Sequence, residues 1–143
     1  MAVNDSTLIC SIELPAELES LPAFNEKVTQ CAVECGLSEH KIMSMELALE
    51  EAIVNIIKYA STDPEGTVHI DCSMDGEKYF TITIIDYGPP FDPLKRVAPD
   101  IDAGIDERAV GGLGIFLIKE MTDAVSYRRD DNKNILTIKI EKD

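Results

Sequence analysis

A chain of 143 residues, 45% hydrophobic and 28% charged, has the make-up of one ordinary globular domain and is too apolar for general disorder. Its formal net charge of −14 repels phosphate backbones and anionic membrane surfaces, which argues against nucleic-acid and membrane partners. No apolar run approaches the ~18 residues of a membrane span and no basic-then-apolar segment opens the chain, so a cytoplasmic location is expected.

Residues 6 to 14, "STLICSIEL", alternate well enough for a first strand ending before Pro15. "LPAFNEKVTQCAVECG" reads as a helix opened by Pro22 and stopped at Gly36, and Ser38 is placed to cap a longer helix running to about Ala60. Along that second helix Ile42, Met45, Leu49, Ile53 and Ile56 form a core-facing stripe at helical spacing. Two strands follow, "TVHIDCSMD" and "KYFTITIID", joined at Asp75-Gly76. Residues 87 to 110 then lose all periodicity and carry Pro89, Pro90, Pro93 and Pro99. A connection that long inside one domain is usually a functional lid or a mobile segment, because ordinary loops have about 4 to 6 residues. A glycine turn, a helix to about Thr122 and two last strands, "AVSYRRD" and "NILTIKIE", complete the chain. Strands in runs rather than in strict alternation with helices predict an α/β fold: a two-layer sandwich of a mixed, largely antiparallel sheet with helices on one face.

The four cysteines, Cys10, Cys31, Cys35 and Cys72, form no CxxC pair, and His40 and His69 stand alone. Buried free thiols in the core are expected, with no metal role, and neither histidine is assigned chemistry. Three other stretches could carry chemistry. In "ELALEEAIVNIIKYA" Glu51 and Asn55 lie four apart and project side by side, a proton acceptor next to an oxygen ligand for a hard cation, although such a pair is also common on a solvated helix face. In "IIDYGPPFDP" a β-branched strand ends at Asp86, which either caps the turn at Gly88 or accepts a hydrogen bond from a ligand donor such as an exocyclic amine. In "VGGLGIFLIKEM" the glycines either make a tight turn before a helix or bare its first N–H groups for an anion such as phosphate.

The order Glu-x-x-x-Asn on a long helix, Asp-x-Gly-x-x-Phe-Asp after a strand and Gly-Gly-Leu-Gly before a helix resembles the GHKL (Bergerat) ATP-binding fold of DNA gyrase, the histidine kinases and the MutL repair proteins. "DYGPPFDP", "GGLGIFLIKEMTDAVSY" and "NILTI" look more specifically like the anti-sigma factor serine-protein kinases, and that resemblance spans nearly the whole chain. It implies a single histidine-kinase-like ATP-binding domain over 1–143 that binds ATP and Mg, with an ATP lid at about 93–110. By similarity Asn55 would be the metal ligand, bridging magnesium to the ATP phosphates, and Glu51 would accept the proton of a substrate serine. Asp86 would bind the adenine amine, Gly88 would leave room for the purine beside Phe91, and Thr137 would assist from a late strand. Gly111, Gly112, Leu113, Gly114 and Ile115 would line the phosphates, with Lys95, Arg96 and Arg108 as candidate lid cations. The implied activity is an ATP- and Mg-dependent serine-protein kinase that phosphorylates an anti-sigma factor antagonist and holds a sigma factor, with a homodimer left open. Tyr59, where many relatives carry histidine, and Ser61, where they carry an aromatic, keep a second reading in play: an ATP-dependent binding module without productive transfer.

Overall fold

The computed structural model describes residues 6–60, 65–95 and 112–142. Five strands make one sheet: β1 (Ser6–Pro15), β2 (Thr67–Asp75), β3 (Tyr79–Asp86), β4 (Ala124–Asp130) and β5 (Lys133–Glu141). Their order is β1-β2-β3-β5-β4 and every described pairing is antiparallel. The hairpin turns follow from backbone permissiveness. Gly76 takes φ +63 between β2 and β3, and Asp131 and Asn132 both take positive φ between β4 and β5, which a two-residue turn matched to strand twist requires.

Among the described residues three α-helices cover one face: α1 (Leu21–Glu34), α2 (Glu39–Asn55) and α3 (Gly112–Met121). Pro22 sits in the first turn of α1, where its missing N–H costs nothing, and Gly36 leaves the helix at φ +89. Ser38 caps α2 as expected, its hydroxyl accepting from the Lys41 N–H at 3.2 Å. Met45, Leu49, Ile53 and Ile56 are buried and Ile42 is partly so, which bears out the apolar stripe. They meet Val68, Ile70 and Cys72 of β2, Phe80, Ile82 and Ile84 of β3, and Leu136, Ile138 and Ile140 of β5. With period 2 along each strand, that list defines the helix-facing side of the sheet. On the opposite face His69 bridges Glu13 at 3.2 Å and Asp71 at 2.8 Å, a surface network between β1 and β2.

Two details differ from the sequence-based expectation. The long helix is α-helical only to Asn55, and residues Ile56–Ala60 form a wider π-helical turn. Asn55 Nδ2 donates to the Glu51 carbonyl at 2.9 Å at this switch, and side chains that bond the i−4 carbonyl are known to disturb regular helix. The glycine segment also differs. Gly112 already opens α3, so Gly112, Leu113 and Gly114 belong to its first turn rather than to a turn ahead of it. Pro93–Lys95 form one short 3-10 turn, and the remainder of the expected lid, with Arg96, Arg108 and Gly111, lies outside the described residues. No helix among the described residues is long and apolar enough to cross a membrane.

Candidate functional site

Three element ends converge at one end of the sandwich. Asp86 closes β3 and pairs in register with Val68 near the start of β2 and with Asn134 near the start of β5. The π-helical turn that ends at Ala60 reaches β2 through a short connection, so the end of α2 lies at the Asp86 end of the sheet. Helix α3 feeds β4 at Ala124, opposite Lys139 and therefore at the far end, which leaves its glycine-bearing start as the end nearer Asp86. Its first N–H groups have no intrahelical acceptor, the usual property of a helix N-terminus, and α3 packs against α2.

Asp86 is 2% exposed, and a buried carboxylate is tolerated only when its oxygens are engaged. Its Oδ1 accepts from the Gly88 N–H at 2.9 Å and from Asn134 Nδ2 at 3.0 Å. The turn-capping role foreseen for Asp86 is therefore realised, and it occupies only one oxygen. Among the described residues Oδ2 accepts nothing, so the carboxylate has an acceptor in reserve. Burial pushes the Asp86 carboxyl above the ordinary aspartate value, and the bonds from Asn134 and Gly88 and the Arg129 charge pull partly the other way. A ligand N–H donated to Oδ2 would add to that second group.

Asn134 holds this corner together, and nothing in the sequence pattern singled it out. It is buried, with Nδ2 donating to Asp86 Oδ1 and to the Pro89 carbonyl at 2.8 Å. Its Oδ1 accepts from the Phe91 N–H at 3.1 Å, from the Tyr127 hydroxyl at 2.6 Å and, more loosely, from Arg129 Nη1 at 3.3 Å. Arg129 Nη1 also donates to the Gly88 carbonyl at 2.7 Å. One carboxamide thus pins the Gly88–Phe91 turn against the sheet, and Phe91 packs against the core. A signal existed in principle: an asparagine inside a β-branched strand is out of character and has to be satisfied by specific partners.

The other expected positions fall as follows. Thr137 stands three residues from Asn134 and pairs with Thr83, so alternation turns it to the opposite face of the sheet, away from Asp86. Asn55 is buried at the end of α2, and because only its Nδ2 can donate to the Glu51 carbonyl, the amide is oriented with Oδ1 as the end that accepts no hydrogen bond among the described residues. An amide oxygen is the atom a hard cation such as magnesium takes, so the residue fits that role. Glu51 lies one turn earlier and is partly exposed. Gly112, Leu113, Gly114 and Ile115 form the start of α3. A separate cleft of about 340 Å³, lined by Leu21, Pro22, Met43 and Leu47 between α1 and α2, contains neither Asp86 nor Asn55.

An antiparallel sheet covered by helices, with a buried aspartate at a strand end and a glycine-started helix whose first turn lies toward the same end, is the architecture of a histidine-kinase-like ATPase. Residues 14–140 match the family described as histidine kinase-like ATPase domain, and the chain belongs to that family. Among curated proteins it is similar to the serine-protein kinase RsbW of Listeria monocytogenes serovar 1/2a, at 26% identity over 90% of this chain and 85% of that protein. The protein of the same name from Bacillus thuringiensis is 28% identical over 90% of this chain and 82% of its own length. Among solved structures, the RsbU and RsbW domains of a Mycobacterium tuberculosis protein superpose with a TM-score of 0.64 at 14% identity, over 92% of this chain and 31% of that one. The histidine kinase domain of a blue-light activated kinase from Erythrobacter litoralis gives a TM-score of 0.51 at 17% identity, covering 99% of this chain and 66% of that one. These two likenesses establish the shared fold.

Proposed function

We propose that the chain is an ATP- and Mg-dependent serine-protein kinase that phosphorylates an anti-sigma factor antagonist and acts as an anti-sigma factor. The observation that carries the nucleotide part is the Asp86 carboxylate: buried, half satisfied by its own turn and by Asn134, with Oδ2 left for a donor. An exocyclic amine is such a donor, and in this reading Gly88, two residues on, is the position where a purine ring approaches the backbone. The serine-kinase part rests on the relatives' shared name and on Glu51, retained one turn before Asn55.

In this reading Asp86 fixes the base and the first turn of α3 offers its N–H groups to the phosphates. Asn55 Oδ1 is the residue-borne ligand for magnesium, which supplies charge neutralisation on the phosphates when bound. Glu51 accepts the proton of the substrate serine as its hydroxyl oxygen bonds to the γ-phosphorus and the bond to the ADP oxygen breaks. Residues 93–110 are the ATP lid of this reading, within a single domain. Little covalent chemistry is asked of the protein, because phosphoryl transfer depends mainly on positioning and on charge stabilisation.

The test is incubation of the chain with labelled ATP and magnesium beside candidate antagonist proteins encoded nearby. Label on a serine of one of them is expected. Saturable nucleotide binding with no label on any candidate would instead favour the binding-module reading that Tyr59 and Ser61 keep open.

A further inference from the structure

Away from the Asp86 corner, the core holds an arrangement of sulfur that packing does not require. Cys10 on β1 and Cys72 on β2 are register partners, and both point to the helix-covered side. The strand register shifts between Leu8 and Cys10, which sets Cys10 opposite Cys72. Cys31, on the buried stripe of α1 with Phe24, Val28 and Ala32, closes over them. The three Sγ atoms lie within 4.8 Å of one another. Cys72 and Cys31 are 0% and 3% exposed, and Cys10 is half-buried, which gives the trio one route to solvent.

Three sulfurs around one centre at a metal–sulfur distance of about 2.3 Å stand roughly 4.0 Å apart in a trigonal plane. The trio is therefore within about 1 Å of the spacing a three-coordinate ion would impose. The chemistry of the donors narrows the ion further. Sulfur selects soft cations over magnesium or calcium. Cys35, one helical turn beyond Cys31, touches Cys31 but is not one of the three sulfurs that lie within 4.8 Å of one another, so an ion that insists on four ligands, as zinc does, is less well served than one that accepts three. Burial raises the Cys31 and Cys72 thiols, and Cys10 beside both raises them further, so an ion has to displace their protons to bind.

We propose that Cys10, Cys31 and Cys72 form a three-sulfur binding site for a soft monovalent cation, of which cuprous copper is the type. Each thiol that becomes a thiolate ligand releases its proton to solvent, and no electron is transferred. Bound there, the ion would tie α1 to the β1–β2 edge of the sheet. The site is independent of the nucleotide reading, since none of its ligands borders Asp86 or Asn55.

The experiment is anaerobic titration of the reduced 143-residue chain with Cu(I), kept reduced by ascorbate, against a chromophoric Cu(I) chelator. One equivalent is expected to be withdrawn from the chelator, with a sulfur-to-copper charge-transfer band in the ultraviolet, X-ray absorption showing sulfur ligands only, and a rise in thermal midpoint. Affinity should fall as pH is lowered, because protons compete for the sulfurs. Cys10→Ser, at the half-buried member, should keep the circular dichroism of the folded chain and lose affinity by about 100-fold or more, a larger effect than removing an outer-shell partner. Cys35→Ser should bind as the parent does. Absence of the band, uptake unchanged in Cys10→Ser, or tighter binding of Zn(II) than of Cu(I) would each overturn the proposal. So would formation of a Cys10–Cys72 disulfide in air by a chain that takes up no copper under argon, which would make the trio a redox pair instead.

Discussion

Replacing Asn134 by alanine removes the group on which the Asp86 corner depends, and the structure sets the size of the effect. Four well-formed hydrogen bonds disappear: to Asp86 at 3.0 Å, to the Pro89 carbonyl at 2.8 Å, from the Phe91 N–H at 3.1 Å and from the Tyr127 hydroxyl at 2.6 Å. The Arg129 contact at 3.3 Å is long and exposed at its other end, so it adds little. At about 1 kcal/mol net for each bond the sum is about 4 kcal/mol, reduced to about 3 kcal/mol because the partly exposed Tyr127 can turn to water. For a chain of this size that is a fall in Tm of roughly 10 °C. Loss of the Asn134 donor also moves the Asp86 carboxyl further upward and frees the Gly88–Phe91 turn, so nucleotide affinity should drop as well. Urea unfolding gives the first quantity and a fluorescent-ATP displacement titration the second. Thr137→Val, on the far face, is the control, with affinity unchanged. A stability loss below about 1 kcal/mol for Asn134→Ala, or parental nucleotide affinity, would refute the role assigned to this carboxamide.

Asp86→Asn preserves the shape and the bonds to Gly88 and Asn134 while replacing the free acceptor with a donor; ATP affinity should fall about 10- to 100-fold, and unfolding at neutral pH should show no loss of stability. The pH dependence follows from the direction of the Asp86 shift. Because its folded value is raised, the ionised group is a cost to the unliganded protein that develops as pH rises from the ordinary aspartate value through the raised one. Ligand binding runs the other way: nucleotide affinity should weaken as pH falls through that same window, and Asp86→Asn should flatten the dependence in a titration series. Glu51→Ala should retain ATP binding and lose label transfer to the antagonist, and unchanged transfer would remove Glu51 from the mechanism. For Asn55→Ala the magnesium-dependent part of nucleotide binding should disappear, read as equal affinity with and without the metal.

Local chemistry made much of this fold legible. Pro22 and Ser38 mark helix starts, Gly36 and Gly76 mark positions of positive φ, and the β-branched runs at 67–75 and 79–86 alternate as half-buried strands must. The three glycine, asparagine and aspartate motifs were readable for the same reason, as each is a local departure from its element's pattern. What stayed hidden depends on pairing between distant segments. The insertion of β5 between β3 and β4 sets Asn134 beside Asp86 and turns Thr137 away, and without that register both polar residues of β5 look equivalent. The π-helical turn after Asn55 depends on a side chain bonding its own helix, which periodicity cannot register. The sulfur trio is of the same kind: spacings of 21 and 41 residues carry no motif, and only the packing of α1 over the β1–β2 pair brings the atoms together.

Titration calorimetry of the folded chain with ATP and magnesium bears most directly on whether the Asp86 corner is a purine nucleotide site. The account requires saturable binding of one nucleotide per chain, stronger with the metal than without and weakened by Asp86→Asn. Absence of any heat at millimolar ATP or ADP with magnesium present would contradict it.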